Sequence, residues 1–187
     1  MSTRLKRHVS RRTFLKLSAS TLFTGLLTFP ALASLPPLPR KTQSLSLYNI
    51  HTREVLEACY RINGNLVPHA LLQIDKIMRD HRTGEIKPVD PKLLDLLYRI
   101  VIQIKPDSPV NIISGYRSPK TNAALRKQTT GVAKKSLHMQ GRAIDIRIPG
   151  FPTPTIRELA IDMQSGGVGY YQKSDFVHLD TGRFRTW

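Results

Sequence analysis

Ser136-Leu137-His138-Met139-Gln140-Gly141-Arg142-Ala143-Ile144-Asp145-Ile146-Arg147-Ile148 is the stretch on which the fold turns. From Arg142 onward it alternates as a strand does. Ile144, Ile146 and Ile148 share one face, while Ala143, Asp145 and Arg147 share the other. Asp145 therefore points away from the apolar layer, beside an alanine that leaves room next to it. Gly141 permits a tight turn ahead of the strand and brings His138 back over its start. A second segment, Asp175-Phe176-Val177-His178-Leu179-Asp180, repeats the pattern. Val177 and Leu179 face one way, His178 and Asp180 the other.

The segments around these two strands give the rest of the domain. Ser44–Ile50 and Glu54–Tyr60 are β-rich runs flanking His51-Thr52-Arg53, which predicts a hairpin. From Leu66 to His81, apolar residues fall at 67, 70, 71, 74, 77 and 78, the spacing of an amphipathic helix. Asp90-Pro91 opens a second helix, with Asp90 as N-cap and Pro91 in the first position. Its buried face holds Leu93, Leu94, Leu97, Ile100 and Ile104. Val110–Ser114 is a short strand, and Ser118-Pro119 caps a helix that runs to about Gln128. The polar stretch Thr129–Lys135 reads as a mobile loop. Strand and helix then alternate through Arg142–Ile148, Thr155–Gln164, Val168–Tyr171 and Phe176–Asp180. Helices gathered before a small, mostly antiparallel sheet, and packed on it, predict an α+β fold.

The chain has 187 residues, enough for one well-filled domain. Its formal charge is +16, from 29 Lys/Arg and 13 Asp/Glu. Six of the basic residues and none of the acids lie in residues 1–33, so the chain from Ser34 carries +10. That excess favours a polyanionic partner. No helix carries a basic, base-reading face, which argues against nucleic acid. The single cysteine, Cys59, excludes an internal disulfide framework. Residues 1–33 read as an export signal: the pair Arg11-Arg12 precedes Phe14-Leu15-Lys16, an apolar run follows, and Ala31-Leu32-Ala33 supplies a cleavage signature. That pattern is a twin-arginine leader, and the apolar run is too short and polar for a comfortable membrane span. Residues 34–43, with Pro36, Pro37 and Pro39, read as a stiff spacer, and the domain is expected over 44–187.

Two histidines lie beyond His81, and each sits beside a strand that turns an acid away from the core. A catalytic zinc takes about three protein ligands, with imidazole and carboxylate among them. His138, Asp145 and His178 would supply such a set. His51, His69 and His81 lie on a turn and a helix and read as non-catalytic.

The pattern Ser-x-His-x-x-Gly-x-Ala-x-Asp over 136–145, with Asp175-x-x-His178 downstream, resembles the zinc D-alanyl-D-alanine carboxypeptidase and hedgehog-like metallopeptidase family. Ser114-Gly115-Tyr116-Arg117-Ser118 is similar to a third motif of those enzymes. Asn49-Ile50-His51-Thr52 and the leader look like the family's murein endopeptidase K subgroup. The resemblance implies one zinc per chain, held by His138, Asp145 and His178. It gives Asp175 the position of the proton-transferring acid, and Arg117 that of the arginine stabilising a tetrahedral intermediate. Many relatives carry glutamate where Asp175 stands, so Asp180 competes for the role. Asp180's place on the ligand face also suits a partner for an imidazole N–H. The activity implied is cleavage of peptide cross-links between murein stems, including diaminopimelate–diaminopimelate bonds, by a periplasmic monomer with no membrane span once the signal is removed. A carboxypeptidase trimming stem peptides stays open, as does a non-catalytic, zinc-stabilised wall-binding module. The latter has no need of Arg117 and Asp175.

Overall fold

A computed structural model describes residues 41–187, so the predicted leader (1–33) and most of the predicted spacer (34–43) lie outside the described residues. Strand β1 (Thr42–Asn49) begins within the last residues read as spacer and forms the expected hairpin with β2 (Val55–Ile62). The two-residue β3 (Asn65–Leu66) extends it. Helix α1 (Pro68–Ile77) is shorter than its apolar periodicity suggests. The Met78 carbonyl accepts the Tyr116 N–H at 2.7 Å, and the buried Asp80 carboxylate accepts the Arg82 and Ser118 N–H groups at 2.9 and 2.8 Å. Tertiary partners thus take the polar groups that another helical turn would need.

Helix α2 (Pro91–Ile104) starts as expected, with the Asp90 carboxylate accepting the Lys92 N–H. Strand β4 (Val110–Ser114) follows, then α3 (Pro119–Gln128), capped by Ser118. A 3-10 turn (Leu137–Gln140) leads into β5 (Ala143–Arg147). Gly141 between them has φ +68°, and a Cβ there would run into the Pro88 carbonyl, so glycine is required. Helix α4 (Thr153–Asp162), β6 (Gly167–Tyr171), β7 (Phe176–Asp180) and the short β8 (Arg185–Thr186) complete the domain. No helix among the described residues is long and apolar enough to cross a membrane.

The strands form one sheet in the order β3-β2-β1-β4-β5-β7-β6-β8. Five pairings are antiparallel; β1 with β4 and β6 with β8 are parallel. The N-terminal hairpin therefore belongs to the same sheet as the two chemistry-bearing strands, and the helices are inserted between strands rather than gathered ahead of them. Leu45, Leu47, Ile112, Ile144, Ile146, Val177 and Leu179 bury one sheet face against Ile74, Leu93, Leu97, Ile100 and Ile156 of the helices. The opposite face carries a transverse row. Ser114 pairs with Asp145, Asp145 with His178, and His178 with Gly169, so all four occupy one line across four strands.

Candidate active site

His138, Asp145 and His178 meet on that row and are buried there, at 2, 5 and 8% exposure. Strand pairing sets Asp145 beside His178, and the 3-10 turn ahead of Gly141 folds His138 over them. His138 Nε2 lies 3.1 Å from His178 Nδ1 and 3.2 Å from Asp145 Oδ1, and His178 Nδ1 lies 2.8 Å from the same oxygen. The other ring nitrogens are engaged elsewhere. His138 Nδ1 is 2.7 Å from the Gly115 carbonyl, and His178 Nε2 is 3.0 Å from Asp180 Oδ2. A carbonyl and a carboxylate only accept, so each outer nitrogen carries a proton, and in the neutral ring each inner nitrogen presents a lone pair.

Three lone-pair atoms turned toward one point need a cation between them. In a tetrahedral zinc site with Zn–N near 2.0–2.1 Å, ligand atoms sit about 3.3 Å apart. Two of the observed spacings, 3.1 and 3.2 Å, are close to that value and the third, 2.8 Å, is shorter, and the donor set of two imidazoles and one carboxylate suits zinc. Without a metal, the trio shares protons. Burial opposes it, but the neighbouring imidazoles hold Asp145 below the usual carboxylate range. Burial likewise disfavours charge on His178, yet hydrogen bonds to Asp145 and Asp180 push it up to about 9.

Asp180 is fully buried and fully used. Oδ1 accepts from Gly167 N–H, Gly182 N–H and Arg185 Nη1; Oδ2 accepts from His178 and from Arg185 Nη2 at 2.7 Å. It fixes the His178 ring. With every lone pair committed, it has no capacity left for proton transfer to a substrate.

Arg117 stands at the start of the α3 segment, held by its N–H on the His138 carbonyl. Its Nη2 is 3.6 Å from Asp145 Oδ2 and makes one long contact, 3.4 Å, to Ser114 Oγ. Its Nε is buried without a partner. Burial draws its pKa down from the usual value while Asp145 pulls it back up. A buried guanidinium with most of its donors unspent is poised for an anionic guest.

These groups line a cavity of about 710 Å³ bounded by the 129–133 loop, Ser136, Tyr171, Phe176, Arg185 and Trp187. The sequence reading gave no role to Tyr171, Arg185 or Trp187. Alternation from His178 puts Phe176 on the cluster face, but reaching Tyr171 takes the pairing of β6 with β7. Arg185 and Trp187 lie after the last strand of the pattern, where no periodicity marks them. Tyr116 and Gln140 do not line the cavity. The His51 and His81 rings stack on each other at 3.8 Å, away from the cluster.

Asp175, expected as the acid, is not brought to the cluster. Its backbone is left-handed (φ 50°), which breaks the strand alternation just before β7. The carboxylate instead pairs with Arg147 at 3.0 Å and accepts the Thr153 hydroxyl at 2.8 Å, with the side chain 58% exposed. Among the described residues, Asp145 is the sole carboxylate lining the cavity.

Comparison with known proteins gives the family. Residues 38–187 match the family model described as peptidoglycan L,D-endopeptidase MepK. A peptidoglycan L,D-endopeptidase MepK of Escherichia coli strain K12 is 42% identical over 179 residues, covering 95% of this chain and 97% of that protein. A probable peptidoglycan L,D-endopeptidase MepK of Haemophilus influenzae is 38% identical over 180 residues, covering 95% of each. No solved structure matches. With the family model spanning the whole described domain and the relatives covered almost end to end, the chain belongs to the peptidoglycan L,D-endopeptidase MepK family of metal-dependent peptidases.

Proposed function

We propose that this chain is a zinc-dependent endopeptidase that cuts cross-links between murein stem peptides, including diaminopimelate–diaminopimelate bonds, outside the cytoplasm. The observation that carries the reading is the convergence of His138 Nε2, Asp145 Oδ1 and His178 Nδ1 within 3.2 Å, facing an open cavity that also holds Arg117. When bound by these three residues, the metal supplies Lewis acidity toward a carbonyl oxygen and toward water. The protein's own groups orient the ligands and stabilise charge. Gly115 and Asp180 keep the imidazoles turned inward, and Arg117 offers unspent donors to negative charge that builds on the scissile carbonyl. We assign Asp175 to bracing the segment before β7 through Arg147 and Thr153, not to proton transfer.

The names of the relatives support an L,D bond as the target. Stem peptides carry free carboxylates, which the +10 charge from Ser34 onward would attract. The leader at 1–33 supports export by the twin-arginine route to the periplasm, with the spacer at 34–43 ahead of the domain. Digesting purified sacculi with the zinc-loaded protein, followed by mass spectrometry of the released muropeptides, tests the reading. Conversion of cross-linked dimers to monomers is expected. Loss of terminal residues with cross-links intact would make the protein a carboxypeptidase, and no change at all would make it a binding module.

A further inference from the structure

Beyond the metal-binding trio, the same sheet face carries an aromatic clamp. Tyr171 of β6 pairs with Phe176 of β7, two residues along from the Gly169–His178 pair, so it lies on the face of the cluster. Its ring stacks on Phe176 at 4.5 Å with 17° between planes. Trp187 follows β8 and lays its indole over Gly169. A Cβ at Gly169 would sit 2.6 Å from that ring, so the glycine is what admits it. The indole comes to 5.2 Å from the His178 ring, and the Arg185 guanidinium, anchored on Asp180, lies 4.8 Å from its centre. The indole Nε1–H donates to Tyr171 Oη at 3.0 Å.

That hydrogen bond has a fixed direction, because an indole nitrogen only donates. The phenol oxygen is therefore the acceptor, and the phenol proton remains for a different partner. No protein acceptor takes it among the described residues, while Tyr171 lines the cavity together with Arg117, His138, Asp145 and His178. The ring is held from two sides, so the free proton has a restricted direction. Of the two polar atoms of a scissile peptide, the nitrogen lone pair is delocalised into the amide, and the carbonyl oxygen is the acceptor.

We propose that Tyr171 is a further catalytic residue, its O–H donating a hydrogen bond to the scissile carbonyl oxygen, with Trp187 and Phe176 as the residues that position it. This rests on the reading of the site given above. The proton stays on the phenol, and no bond to it breaks. The interaction strengthens as the carbonyl oxygen gains charge, so it favours the transition state over the bound substrate.

The test measures kcat and KM of the zinc-loaded protein on a purified cross-linked muropeptide dimer, for the wild type, Tyr171→Phe and Trp187→Phe, with zinc content measured for each. Tyr171→Phe keeps the stacked ring and removes the donor, together with the acceptor of the Trp187 indole N–H. Its kcat is expected to fall by a factor on the order of 10²–10³, with KM and zinc content unchanged, as for loss of one oxyanion donor. Trp187→Phe keeps a ring over Gly169 but releases the phenol, and a smaller fall in kcat of roughly five- to tenfold is expected. Wild-type turnover by Tyr171→Phe would overturn the proposal, as would a loss confined to KM, which would make Tyr171 part of the binding wall. A zinc-loaded wild type that leaves the dimer intact would overturn the endopeptidase reading itself, and this proposal with it.

Discussion

Arg117 and Asp175 are both charged residues of the sequence motifs, and the structure treats them oppositely. Arg117 is buried with its Nε unpartnered at the cavity, whereas Asp175 is exposed and already paired. Arg117→Ala should therefore keep its zinc and lose turnover by a factor on the order of 10²–10³. Asp175→Ala should keep both zinc and wild-type turnover, with stability lowered by no more than about 1 kcal/mol, the range of an exposed ion pair. Steady-state kinetics on a muropeptide dimer with metal analysis of each variant checks both. A fall of 10² or more in Asp175→Ala would restore it as the acid. The difference between the two residues also marks what the sequence could convey. The candidate ligands were legible because strand alternation and a glycine turn suffice to converge them. The placement of Asp175 was not legible, because its spacing from His178 assumes a regular strand and a left-handed residue interrupts it. Tyr171 and Trp187 become visible only through the pairings of β6 with β7 and β8, which no local pattern encodes.

At the scale of elements, most boundaries followed from capping and alternation; β4, α3 and β7 begin and end where the sequence places them. The parallel pairing of β1 with β4, and hence the single sheet, could not be read, since it joins segments separated by two helices. One contact that locks this arrangement is sensitive to pH. The His51 ring in the hairpin turn stacks on His81 beyond α1, and His51 Nε2 contacts the Ile113 carbonyl of β4 at 3.0 Å. Burial, with the nearby His51 and Arg82, brings the His81 pKa down to about 4 from 6.5, while Asp80 opposes the shift. Between those values the unfolded chain binds more protons than the folded one. The contribution is therefore complete above pH 6.5 and is lost progressively as pH falls toward 4. Thermal melts of the zinc-loaded protein should show Tm declining across that window, and His81→Phe, which keeps a stacked ring, should flatten the decline. Parallel curves for the two proteins would remove His81 as the cause.

For the molecule as a whole, two addresses have to agree: where it goes and what it holds. Replacing Arg11 and Arg12 together with lysine should leave the protein in the cytoplasm, because a twin-arginine signal depends on that pair. Fractionation checks this, and a normal processed form outside the inner membrane would contradict the assignment. The central claim is that His138, Asp145 and His178 hold one catalytic zinc. Binding by three such residues is lost when an imidazole is removed, because two remaining donors cannot fill a zinc site of this kind. The most direct measurement is elemental analysis of the purified protein beside its His138→Ala and His178→Ala variants. About one zinc per chain in the wild type and none retained in either variant is the expected result; full occupancy in both variants, or no bound metal in the wild type, would contradict it.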